Sequence, residues 1–334
     1  MDCVCTPVYR RYRRLSDRGV RSSEGKGEKT AGDYKYRYSK EYKGIEITKY
    51  IGKEKEVYIP AMIENKPVKA LARHAFYSNE VVEKVVLPDT IVEIGAGAFG
   101  SCFKLSNVTL PSQLRAIREE TFSTCPLLTE LQIPSSVKYI GSSAFLWSGL
   151  KQITIPASVR EIDNWAFNDC RELEQVMIPE NAKLEKIGEA AFSECYQLKT
   201  ISPLPASLKK LGARVFDGSS LREIHFAPNA KIKELPEKCF FNCQGLREVD
   251  IPKNVTKIGA KLFIAVDETD GKYYYRHRVV KINILGGKIK TIEKDAFKGI
   301  NKKAVFKVPS KYKKKYKKLL KKQSWFKATM KIQV

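Results

Sequence analysis

Long apolar runs are missing from this chain: no window of 18 residues is apolar throughout, so no membrane-spanning helix is expected. The start, Met1-Asp2-Cys3-Val4-Cys5, leads into Arg10, Arg11, Arg13 and Arg14 without an apolar segment, so these residues do not read as a secretory leader. Histidine is scarce. His74, His225 and His277 fall in unrelated contexts, which excludes a histidine-built metal cluster and leaves His74 and His225 as ordinary surface or groove residues. No G-x-S-x-G or H-E-x-x-H occurs. Gly286-Gly287-Lys288 has Ile282 where a phosphate loop needs its first glycine and Ile289 where it needs Ser or Thr. Cys3-Val4-Cys5 is too tight for a zinc knuckle and has no companion pair. These absences leave no catalytic residue, metal or cofactor to expect, and the chain is read as a non-enzyme.

Acidic residues are outnumbered, 37 to 61, for a formal charge of +24 over 334 residues, which suggests a polyanion binder until the charge is mapped. Residues 1–43 hold 12 Lys/Arg against 6 Asp/Glu, residues 271–334 hold 21 against 2, and the middle holds 28 against 29. A chain that gripped a polyanion along its whole length would carry basic residues throughout. Here the excess sits at the carboxyl-terminal end.

What the sequence does have is repetition with a period near 23 residues. A mostly small residue precedes Phe at Phe76, Phe99, Phe122, Phe145, Phe167, Phe192, Phe216, Phe240, Phe263 and Phe297. Ahead of the Phe stand apolar-x-apolar-Pro and then V/L-x-x-I/L-G, as in Val85-Val86-Leu87-Pro88, Ile91, Ile94-Gly95 and Phe99. Apolar alternation stopped by Pro describes one short strand per unit, and the glycine provides either a positive φ or a tight approach where the chain turns. No unit closes a core alone, so units must stack, each Phe, Ile and Leu against its copies above and below. Cys102, Cys125, Cys170, Cys195 and Cys243 lie three residues after the Phe, and Cys239 directly before one. They are read as reduced, buried thiols because several coils put Ser or Gly at that slot, although neighbouring coils are near enough for a disulfide.

Seen ten times, the Ile-x-Ile-Pro, Val-x-x-Ile-Gly and Ala-Phe-x-x-Cys pieces resemble the BspA-like leucine-rich-repeat family over about residues 44–309. The reading is a right-handed leucine-rich-repeat solenoid of about ten coils with parallel strands and short irregular or helical return segments. The resemblance implies a surface or secreted bacterial or protist protein, often an adhesin for host matrix proteins or other cells.

Irregular stretches divide the chain. Residues 1–32 lack apolar periodicity and are expected to be disordered. Residues 33–60 form a β cap, with Tyr34–Tyr38 and Gly44–Tyr50 as alternating edge strands. The solenoid follows over 61–309, with an insertion at 265–281 in which Asp270-Gly271 signals a hairpin turn. One arm of that hairpin holds Tyr273, Tyr274, Tyr275, Arg276 and Arg278, residue types favoured at interfaces, although such a flap can also simply cover neighbouring coils. Residues 310–334 read as a basic capping helix and tail: Ser310 is a candidate N-cap, and Tyr312, Tyr316, Leu319 and Leu320 lie on one face. The family resemblance points the same way, through a Val-Pro, Tyr-rich, Trp-containing tail like Val308-Pro309 to Trp325.

The leading expectation is a monomeric module for protein binding, adhesion or scaffolding through the coil face, with Gln132, Gln152, Gln175 and His225 and the Tyr273–Arg278 arm as contacts. The alternative is electrostatic attachment to an anionic polysaccharide, nucleic acid or membrane through Lys313, Lys314, Lys317, Lys318, Lys321 and Lys322. An intracellular regulatory scaffold is the third.

Overall fold

In the computed structural model, which describes residues 27–266, 273–274 and 279–334, the chain is a parallel β-solenoid. Most coils supply two short strands where the sequence pattern marks one. The first row runs through Lys84–Val86, Asn107–Thr109, Gln152–Thr154, Gln175–Met177 and onward to Val305–Lys307 and Lys331–Gln333. The second is the V-x-x-I segment, in Ala116–Ile117, Tyr139–Ile140, Glu161–Ile162, Lys186–Ile187 and Lys210–Leu211, each paired in parallel with its copy. Return segments of the coils are turns without helix among the described residues. No helix among them is long and apolar enough to cross a membrane.

The third side of each coil is held by a hydrogen-bond ladder that is not a β-sheet. Two residues before every ladder Phe the backbone is left-handed, at His74, Gly97, Glu120, Ser143, Trp165, Ala190, Arg214, Lys238, Lys261 and Asp295, with φ between 51° and 62°. A second left-handed residue follows two after it, as at Ser101, Thr124, Asp169 and Asn242. Their alternation sends every other N–H along the solenoid axis: Glu120 N–H reaches Ser142 O, Phe122 N–H reaches Ala144 O, and Thr124 N–H reaches Leu146 O, at 2.6–3.0 Å. The N–H groups between them close local turns, Ser123 to Glu120 O at 3.1 Å for example. An otherwise irregular turn thus leaves few backbone groups unpaired.

Inside this frame the ten phenylalanines form one column, with ring centroids 5.0–6.0 Å apart. Such offset stacks add about 0.5–1.5 kcal/mol per pair beyond burial. The residue before each Phe is buried, which is why most are small. Gly212 has no positive φ; a Cβ there would overlap the Glu189 backbone nitrogen, so tight approach is what the motif glycine provides. The six cysteines among the described residues are free and buried. Five donate Sγ–H to the carbonyl of the preceding ladder Phe, from Cys102 to Phe76 O at 3.1 Å through Cys243 to Phe216 O at 2.9 Å. Burial pushes the Cys102 thiol up to about 12, so it stays protonated and able to donate.

Both ends are closed by aromatic side chains and strands. Strands β1 (Lys29–Ala31), β2 (Tyr34–Ser39) and β3 (Gly44–Tyr50) form an antiparallel meander whose last strand pairs in parallel with Lys66–Leu71. Strand β1 falls within the stretch expected to be disordered, because pairing with β2 orders it; residues 1–26 lie outside the described residues. Tyr50 stacks on Phe76 at 4.9 Å, starting the column. At the other end Trp325 covers Phe297 at 5.0 Å and Phe306 packs edge-on at 5.5 Å.

Helix α1 (Lys313–Lys321) buries Tyr316 and Leu320, with Tyr312 and Leu319 partly buried, the face expected from their spacing. Ser310 is no N-cap: it opens a 3-10 turn (Ser310–Tyr312), and no side chain caps either segment. Docking replaces capping. Tyr316 donates its hydroxyl proton to Gly286 O at 2.6 Å, and a side chain at Gly287 would overlap the Tyr312 ring.

The left-handed positions generate a prediction. A non-glycine residue there carries about 1–2 kcal/mol of strain, so Glu120→Gly raises stability by up to about 1 kcal/mol. Glu120→Val, β-branched at φ 55°, lowers it by about 1–2 kcal/mol. Chemical denaturation of the three proteins checks the order; equal midpoints would show that the turn ladder carries no strain.

Candidate partner-binding face

The first strand row has its central apolar residue buried, as at Val108, Ile153, Val176 and Val249, and turns the residues on either side outward in two columns. Register places Gln152 beside Gln175, then Thr200, and Thr154 beside Met177. Gln132, Gln152 and Gln175 are exposed. Gln152 and Gln175 are therefore brought together, whereas Gln132 belongs to the Thr154–Met177 column of the preceding coil. Strand pairing skips Glu130–Gln132, and a groove of 950 Å³ lies across this break, between Asn107 and Met177.

His225 sits two coils beyond Met177, in a different chemical setting. Its Nδ1 is 2.8 Å from Asp250 Oδ2 and its Nε2 3.4 Å from Glu223. Burial depresses the imidazole, but the Asp250 hydrogen bond and charge, with Glu223 behind them, outweigh burial and raise it above 6.5. Asn283 donates to both Asp250 and Glu248 at 2.7 Å, and Lys281 reaches Glu248 at 2.5 Å. At the opposite end Lys84 donates to Glu56 and Tyr58 at 3.1 Å. Charges at both ends of the face thus neutralise each other. Between them the two strand columns from Asn107 to Ser202 hold Asn, Thr, Gln, Met and Ser, with Glu130 their one charge, while Lys151, Glu174 and Lys199 stand exposed along the edge of the first column and Lys199 lies 3.4 Å from Glu174.

Sequence reading missed a group on the shoulder of this face. The Arg171 guanidinium lies 5.8 Å from the ring centroids of both Trp147 and Tyr196 and donates to Asp169 at 2.6 Å. Trp147 donates to the same carboxylate, and Tyr196 to Glu194. Phe103 and Leu127 stand exposed on earlier coils. A signal was available: Phe103, Arg171 and Tyr196 each lie four residues after a ladder Phe, a column whose large side chains no core position explains.

Of the insertion, Ala265–Val266 pairs antiparallel with Tyr273–Tyr274, and the expected turn at Asp270-Gly271 lies outside the described residues. Tyr275, Arg276 and Arg278 lie outside the described residues. On α1, Lys313, Lys314, Lys317, Lys318 and Lys321 are exposed, as is Lys322 at its end. Among the described residues no ion pair involves any residue beyond Lys298; only Glu293 and Asp295 supply carboxylates after Asp270. No group of three His, Cys, Asp or Glu residues able to hold a metal occurs among the described residues.

With this geometry the chain can be set against known proteins. A crystal structure of a leucine-rich-repeat protein from T. pallidum is 34% identical over 57% of this chain and 88% of that one, with a TM-score of 0.54. A leucine-rich-repeat protein from Bacteroides ovatus matches at 20% identity over 91% and 99%, TM-score 0.48. The pneumococcal vaccine antigen PcpA matches at 18% over 92% and 98%, TM-score 0.44. No curated protein matches. The model of the BspA type leucine-rich repeat region matches six copies, over residues 69–184 and 167–269. Those matches span more than half of the chain, which belongs to the BspA-type leucine-rich-repeat family.

Proposed function

We propose that this protein is a non-catalytic binding module whose partner is another protein, laid across the first-strand face from Asn107 to Ser202 and against the Trp147–Arg171–Tyr196 shoulder. The observation that carries the reading is the contrast within that face. Its ends neutralise their own charges, while the strand columns of its centre present amides, hydroxyls and Met177, with Glu130 as their one charge and Lys151, Glu174 and Lys199 at the edge. Uncharged groups are cheaper to desolvate than ions, so a partner covers the centre at lower cost. Trp, Tyr and Arg held in one stack are the types that dominate interface energies, and stacking fixes them before the partner arrives. The BspA-type family is surface-associated in bacteria, and we extend that placement to this chain as a surface or secreted adhesion protein.

The test is solid-phase binding to a panel of immobilised extracellular-matrix proteins. Gln152→Lys with Gln175→Lys, and separately Arg171→Ala, weaken capture by about tenfold or more. Capture that survives both, or is absent for the unaltered protein, overturns the proposal.

One observation favours a second reading: the α1 lysines have no carboxylate partner among the described residues. They form a point-charge surface suited to an anionic polymer, with salt-sensitive and unspecific contact. On heparin, changing Lys313, Lys314, Lys317 and Lys318 to Gln moves elution to clearly lower salt; unchanged elution reduces the helix to a lid.

The His225 cluster adds a pH dependence at the edge of the face. Its folded value is raised, so its contribution is fully present below about 6.5 and is lost as pH rises through the folded midpoint. An NMR titration gives a midpoint above 6.5, and Asp250→Asn lowers it. An unshifted midpoint in the unaltered protein would remove the pair's role.

A further inference from the structure

The carboxyl-terminal end holds a cleft of 1120 Å³ that the strand-face reading leaves unused. Phe297, Ile300, Trp325 and Met330 line it, each buried and none ionisable. Its rim is basic. Arg247, Lys302, Lys303 and Lys327 are exposed around it and form no ion pair among the described residues. The fifth basic residue, Lys298, lies 3.7 Å from Asp295, the single acid in the lining, so five positive charges face one negative, a net of +4. Lysine stems add apolar surface to the walls while their heads stay in water.

A second, independent feature marks the same wall. The Trp325 indole Nε1–H is buried and has no hydrogen-bond acceptor among the described residues. Buried donors are nearly always paired, so this lining residue carries a donor that no oxygen of the described residues satisfies.

We infer that this cleft is a binding site for an amphiphilic anion, a small molecule with an apolar body and one carboxylate or phosphate head. At 1120 Å³ the cleft is slightly larger than the roughly 300–1,000 Å³ of ordinary ligand pockets, so it has room for such a body. The lysine and arginine heads receive the acid by charge-assisted hydrogen bonds. A polyanion fits less well: its successive charges would meet one rim of net +4 and leave the apolar lining uncovered. This site is independent of the partner proposed for the strand face.

Calorimetric titration of the full chain with decanoate, decyl phosphate and decanol, all below aggregating concentrations, tests the inference. Expected is saturable binding of one anion per chain, with decanol weaker by about tenfold or more. Lys302→Gln with Lys303→Gln and Lys327→Gln weakens the anions by about tenfold and leaves decanol unchanged. The control, Lys313→Gln with Lys317→Gln and Lys318→Gln on the exposed face of α1, changes nothing. Preference between decanoate and decyl phosphate identifies the head group. The inference is overturned if neither anion binds saturably, if decanol binds as tightly, or if the control weakens binding as much as the cleft variant.

Discussion

Stacking of one phenylalanine on the next sets the rise of every coil, and the rest of the molecule is arranged so that this contact can repeat. Ring centroids 5.0–6.0 Å apart are slightly wider than the spacing of hydrogen-bonded strands, so the rings slip sideways as they stack. The slip suits the aromatic quadrupole, and the strand spacing suits the backbone. Both are met only if the turn carrying the Phe also rises by one strand spacing per coil, which its left-handed residues accomplish by aiming alternate N–H groups at the next turn. The small residue before each Phe, the thiol three residues after it and the motif glycine are consequences: each occupies space that the close approach of consecutive turns leaves.

A column that repeats must also end. Tyr50 supplies the ring that Phe76 would otherwise expose, and Tyr34 lies beside it at 5.6 Å. Trp325 does the same for Phe297, with Phe306 and Phe326 around it. An open solenoid end exposes both core and strand edge, and the two caps cover both with one element each, a meander at one end and a helix-bearing tail at the other. The carboxyl-terminal cap is held by Tyr316 against the Gly286 carbonyl and by buried Leu320. Lys315 adds a bond to the Gly287 carbonyl at 2.6 Å, while Lys313, Lys314, Lys317, Lys318 and Lys321 remain open to solvent.

Much of this was legible in the letters because interior positions repeat. Ten Phe in one phase imply a column, the apolar-x-apolar-Pro segment a parallel strand, and the alternating tyrosines a cap. The second strand was not legible: pairing involves two residues, as in Glu161–Ile162, too few to show alternation. Neither was the left-handed turn, since Glu120, Trp165 and Lys238 are residue types that rarely adopt it, and coil-to-coil bonding imposes it on them. Ser310 misled because a serine before an apolar face is an ordinary N-cap signal, while docking of Tyr316 placed the first α-helical turn three residues later. The Arg171 stack escaped because its members are more than twenty residues apart and Trp147 occupies a different slot of its coil, two residues after the ladder Phe, from the one that Arg171 and Tyr196 share.

In a solenoid each coil touches only its neighbours, so energetic coupling between distant coils must pass through every interface between them. The face from Asn107 to Ser202 and the cleft beyond Phe297 are separated by several such interfaces, each built from the same stack and the same three ladders. An interior that uniform has no alternative packing for a ligand to select, and a ligand shifts only states that differ in how they bind it. The chemistry of the two surfaces differs because their exterior columns differ, mostly amides and hydroxyls along the face and an excess of base around the cleft. If the proposed face and the inferred cleft each take a ligand, the fold lets them fill independently, and occupancy of either leaves the affinity of the other unchanged.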